Sequence, residues 1–96
     1  MLLAGGVDRR PAFTKAVMNA THDTPDQTLA NVLRQLRHDS GSTQEDLAHD
    51  AGLTVASLAR IERGQTNPKW TTLRRIVTAL NISLSQLTTA VEDAPV

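Results

Sequence analysis

The stretch Thr43-Gln44-Glu45-Asp46-Leu47-Ala48-His49-Asp50-Ala51-Gly52-Leu53-Thr54-Val55-Ala56-Ser57-Leu58-Ala59-Arg60-Ile61-Glu62-Arg63-Gly64 decides the fold. Thr43 can cap a helix start, with Asp46 three residues on completing a capping box. Leu47, Ala48 and Ala51 then give a short buried stripe that Gly52 ends in the left-handed conformation. Thr54 starts a second helix that buries Leu58 and Ile61 and stops at Gly64. Two short helices joined by a tight glycine-containing turn make a helix-turn-helix.

Working downstream, Asn67-Pro68 reads as an N-cap followed by proline in the first helical position, and Trp70, Leu73, Ile76, Val77 and Leu80 form the strongest apolar stripe. Trp70 is expected in the core. Asn81 is a left-handed terminator, and Ser83 with Gln86 is a second capping box ahead of Leu84, Leu87 and Val91. Upstream, Leu29, Val32, Leu33 and Leu36 follow helical spacing from Gln27 until Ser40-Gly41.

These patterns predict an all-α domain of five helices over residues 27–92, with a tail at 93–96. Residues 1–26, broken by Gly5-Gly6, Pro11 and Pro25, are expected to be an N-terminal arm, either flexible or forming one short helix striped by Phe13, Ala16, Val17 and Ala20.

Aromatic residues are 2% of the chain, so the core must be aliphatic, which suits packed helices. The absence of cysteine excludes disulfides and thiolate chemistry, and His22, His38 and His49 lack metal-like spacing. No Gly-rich phosphate loop is present, so no catalytic residue, cofactor or metal is expected. The apolar Met1-Leu2-Leu3-Ala4 run ends too soon for a signal peptide, and no apolar run reaches membrane-spanning length. A cytoplasmic protein is expected.

Ten basic and ten acidic residues cancel, which counts against nucleic-acid binding. Their distribution counts for it. Asp39, Glu45, Asp46 and Asp50 lie in a segment with no Lys or Arg, whereas Thr54 to Leu80 carries Arg60, Arg63, Lys69, Arg74 and Arg75 against Glu62 alone.

Leu33-Arg34-Gln35-Leu36-Arg37, Thr43-Gln44-Glu45-Asp46-Leu47-Ala48, Gly52-Leu53-Thr54 and Leu58-Ala59-Arg60-Ile61-Glu62-Arg63-Gly64-Gln65-Thr66-Asn67-Pro68 together resemble the Cro and phage-repressor (XRE-type) helix-turn-helix family, over roughly residues 28 to 88. The resemblance implies a lambda-repressor-like domain whose third helix enters the major groove of DNA. Leu58 and Ile61 point inward, leaving Val55, Ala56, Ser57, Ala59 and Arg60 outside. Val55, Ala56, Ser57 and Arg60 are the base-reading candidates: Arg60 for guanine O6 and N7, Val55 and Ala56 for thymine methyls. Each has a plainer reading: Arg60 in a helix ion pair, Val55 and Ala56 over the core edge, Ser57 bonding its own main chain.

By family position, Gln44 meets a phosphate at the start of the second helix, with ordinary solvation as the plainer alternative. Arg63, Gln65, Asn67 and Lys69 track the DNA backbone after the third helix. Asn67 can instead be occupied as an N-cap, and Arg74 and Arg75 are left out of the site. The resemblance also implies a partly buried salt bridge between Arg37 and Glu62.

The function implied is sequence-specific double-stranded DNA binding by a homodimeric transcriptional regulator, a repressor in its simplest form, paired through the last helix (Leu84, Leu87, Val91) or the N-terminal arm. Two alternatives stay open. One is the antitoxin of a toxin–antitoxin pair, holding its toxin through the last helix or the arm, where Phe13, Val17 and Met18 are the segment to suspect. The other is a helix-turn-helix protein-interaction module that does not bind DNA.

Overall fold

A computed structural model describes residues 24–95. The helices are α1 (Gln27–Ser40), α2 (Gln44–Ala51), α3 (Val55–Glu62), α4 (Trp70–Ala79) and α5 (Leu84–Asp93), and the described residues contain no strand. Among the described residues, the expected all-α architecture of five helices is what forms.

Local chemistry sets most of the boundaries. The Asp26 carboxylate accepts from the Leu29 N–H at 2.9 Å to start α1, and Thr43 and Ser83 form the two expected capping boxes. Gly41 and Gly52 close α1 and α2 in the left-handed region at φ 78° and 72°. Asn81 takes φ 62° after α4 without the freedom of glycine.

The core is aliphatic: Leu33, Leu47, Leu58, Ile76 and Leu87 are fully buried. α2 packs on α3 and α4, α1 on α3 and α5, and α5 closes against α4. The helix-turn-helix pair α2–α3 is therefore held by α1 and α4 together. Among the described residues, no helix is long and apolar enough to cross a membrane.

Four expectations are corrected. Trp70 is 62% exposed rather than in the core. It is the first residue of α4, and side chains there lean back toward the helix N-terminus, so the ring projects past the end of the core that Ile76, Val77 and Leu80 fill. Asn67 is not the cap of α4, which begins two residues later with Lys69 in the cap position and no side-chain cap bond. Ala59 is buried, not outward, because the inner face of α3 comprises Leu58, Ala59, Ile61 and Glu62. Leu87, expected in a dimer face, is 1% exposed within its own protomer, and Leu84 and Val91 pack partly buried against the same core. The Phe13, Val17 and Met18 segment lies outside the described residues.

Candidate nucleic-acid interface

The turn into α3 is built so that its outer face stands clear. Leu53 N–H bonds Ala48 O at 2.8 Å across Gly52, and Thr54 caps α3 by accepting from Ser57 N–H at 3.0 Å. Leu58 and Ile61 root the helix in the core, leaving Val55, Ala56 and Arg60 exposed. Val55, 39% exposed, is an apolar side chain held in water at the helix start.

Arg60 makes no ion pair among the described residues. Thr54 Oγ1 lies 2.9 Å from Ser57 Oγ, so the Ser57 hydroxyl bonds the capping side chain rather than its own main chain.

A groove of about 300 Å³ beside α3 is lined by Ser57, Arg60, Asn67 and Lys69, among others. It brings two expected base-reading residues together with two expected phosphate-binding ones. Arg63 and Gln65 are exposed just beyond it, 3.5 Å apart at Arg63 Nη2 and Gln65 Oε1. α4 begins beside this groove, at Lys69, with no side-chain cap, while the other four described helices are each capped by Asp26, Thr43, Thr54 or Ser83. An uncapped helix N-terminus beside a lysine suits an anion.

Behind the interface, Arg37 and Glu62 form a two-pronged ion pair, Nε to Oε2 at 2.8 Å and Nη2 to Oε1 at 2.9 Å. Arg37 is 8% exposed and Glu62 1%. The guanidinium's third prong, Nη1, donates to Ser42 O at 2.9 Å. Its pKa is pushed up from its ordinary value, first by the hydrogen bond to Glu62, against the opposing effect of burial, and then by the charges of Glu62 and Glu45.

Gln44 joins this network. Its Nε2 donates to Glu62 Oε1 at 3.0 Å, which uses one of its two amide hydrogens. Nothing in the residue spacing announces that bond. Asp50 lies away from α3, in a separate open groove with Arg74 and Arg75.

Asn67 is engaged unexpectedly: Oδ1 accepts from Asp26 N–H at 2.7 Å and Nδ2 reaches Thr24 O at 3.5 Å. Gln27 Nε2 donates to Gly64 O at 2.8 Å, and Arg34 Nη1 to Glu62 O at 3.3 Å. The start of α1 is thereby tied to the loop after α3. Sequence separation of 37 and 41 residues hides the Gln27 and Asp26 bonds from any local pattern.

Comparison with known proteins agrees with this geometry. A helix-turn-helix domain family matches residues 28–89. The uncharacterized HTH-type transcriptional regulator y4dJ of Sinorhizobium fredii is 34% identical over 61 residues, which cover 64% of this chain and 79% of that protein. The HTH-type transcriptional regulator DdrOP3 of Deinococcus deserti is 36% identical over 64 residues, 67% of this chain but only 50% of its own length. Among solved structures, the restriction-modification controller protein C.AhdI from Aeromonas hydrophila aligns with a TM-score of 0.62 at 34% identity, covering 64% of this chain and 92% of the controller. The chain belongs to the helix-turn-helix domain family, as a DNA-binding transcriptional regulator of the Cro and phage-repressor class.

Proposed function

We propose that this regulator is a homodimeric repressor that sets one α3 in each of two successive major grooves and acts by binding alone, in the bacterial cytoplasm. The observation that carries the reading is the groove where Ser57 and Arg60 of α3 meet Lys69 and the open start of α4. Base edges and phosphates lie side by side along a duplex, and this face offers a donor set for each.

In this reading Val55, Ala56, Ser57 and Arg60 read bases, while Gln44, Arg63, Gln65 and Lys69 hold phosphates. Dimerisation follows from the size of α3: one eight-residue helix reads too few base pairs for a genomic address, and a linked second half-site multiplies affinity. Half-sites are expected about 34–36 Å apart along the duplex. The pairing surface excludes Leu87, which the protomer's own core uses.

The test is binding to fragments of the protein's own upstream region, titrated against salt. Arg60→Ala is expected to cost about 1–3 kcal/mol on the preferred site and to relax base preference. Lys69→Ala is expected to weaken all DNA alike and lower the salt slope by about one. A parent protein that ignores DNA at low salt would retire this reading in favour of a protein-interaction module.

A further inference from the structure

We infer that Gln27 is a positioning residue for DNA binding: with Asn67 it forms a clasp that holds the loop between α3 and α4 at the height where Lys69 reaches a phosphate. The inference rests on the DNA-binding reading above. It adds a residue on a different helix, the first of α1.

The loop from Arg63 to Lys69 has little structure of its own. Its backbone bonds to α3 end at Gln65, whose N–H reaches Arg60 O at 2.9 Å. The carbonyls at a helix C-terminus lack intrahelical donors and need outside partners. Here α1 supplies them: Arg34 reaches Glu62 O, and Gln27 reaches Gly64 O at 2.8 Å. Asn67, two residues before Lys69, is fixed through its side chain to Asp26 N–H at 2.7 Å.

Gly64 is fitted to this clasp. Its φ of 71° is a backbone state that side chains resist, and the Gln27 carboxamide occupies the space that a Cβ at Gly64 would take. The loop therefore rests on Gln27 by both shape and hydrogen bond. Without the clasp, Lys69 and the open start of α4 keep their chemistry and lose a fixed place.

A neutral residue offers a clean test. Gln27 carries no charge, so Gln27→Met, which keeps its length but donates no hydrogen bond, can alter the salt dependence of DNA binding only through charged groups that it positions. The measurement is affinity for the operator and for a non-operator fragment across a salt series, with thermal unfolding alongside. The expected result is a loss of about fivefold, roughly 1 kcal/mol, on both DNAs, with a salt slope shallower by about one and unfolding little changed. Asn67→Ala should reproduce it, giving a second route if the first variant folds poorly. In a Lys69→Met background Gln27→Met should no longer change the slope. An unchanged slope in both clasp variants overturns the inference, whatever happens to affinity. If the parent protein itself does not bind DNA, the DNA-binding reading fails and the clasp falls with it.

Discussion

Arg37→Ala is expected to cost about 3–5 kcal/mol and to lower the unfolding temperature by roughly 15–30 °C. The loss is not that of a surface ion pair, which is commonly under about 1 kcal/mol. Glu62 is 1% exposed, and both its carboxylate oxygens bond Arg37. Truncating Arg37 leaves that charge buried with only the Gln44 amide facing it, and Ser42 O also loses its donor. Small domains have total stabilities toward the low end of about 5–15 kcal/mol, so the variant should be close to unfolding at room temperature.

The reverse arrangement separates pairing from burial. Arg37→Met combined with Glu62→Leu removes both charges and should recover most of the loss, since a buried pair contributes little over well-packed apolar groups of similar size. Denaturant unfolding of the parent, single and double variants measures this, and a cost below about 1 kcal/mol for Arg37→Ala would show the pair to behave as a surface one. The effect should not depend on pH in ordinary buffers. A guanidinium whose pKa is raised in the folded state contributes fully below its unfolded value, and the contribution fades only as pH climbs through the raised one.

The helices were readable because their signals are local. The Thr43–Asp46 and Ser83–Gln86 boxes, the glycine ends of α1 and α2, and the 3.6-residue stripes all lie within one or two turns, and each formed where expected. The errors arose where one residue had two uses. Asn67 before Pro68 has the chemistry of a cap, but its side chain is spent on Asp26, 41 positions away, and α4 starts later without it. That shift makes Trp70 the first residue of α4 and takes its ring off the core. Ala59 was misplaced because a small side chain carries no clear inside or outside signature, and on so short a helix the buried face is wide.

The site was legible in residue type more than in geometry. Ser57 and Arg60, expected to read bases, and Asn67 and Lys69, expected to track phosphates, line one groove. Gln44 and Asn67, by contrast, serve the structure through Glu62 and Asp26, and only three-dimensional contact reveals it. A polar residue that the family pattern assigns to a phosphate can thus spend much of its bonding capacity inward.

The second large effect is expected at the root of the recognition helix. Leu58 is fully buried, at 0% exposure, and with Ile61 and the Glu62 ion pair it is what fastens α3 to the body of the domain. Leu58→Ala should cost about 2–5 kcal/mol, from lost apolar burial and the cavity left among neighbours that only partly relax. Its consequence for function resembles that of Arg60→Ala but arises from lost position rather than from a lost contact. Every proposed base-reading side chain rides on α3, so loosening its root should weaken binding to the operator more than to other DNA, even at temperatures where the domain stays folded. Leu58→Met, which conserves volume, should stay within about 1.5 kcal/mol of the parent and keep its base preference. Unfolding curves measured beside operator and non-operator affinities would decide the matter: if Leu58→Ala is destabilised by this amount yet keeps the parent's specificity ratio when folded, then α3 is held in register by its neighbours rather than by Leu58.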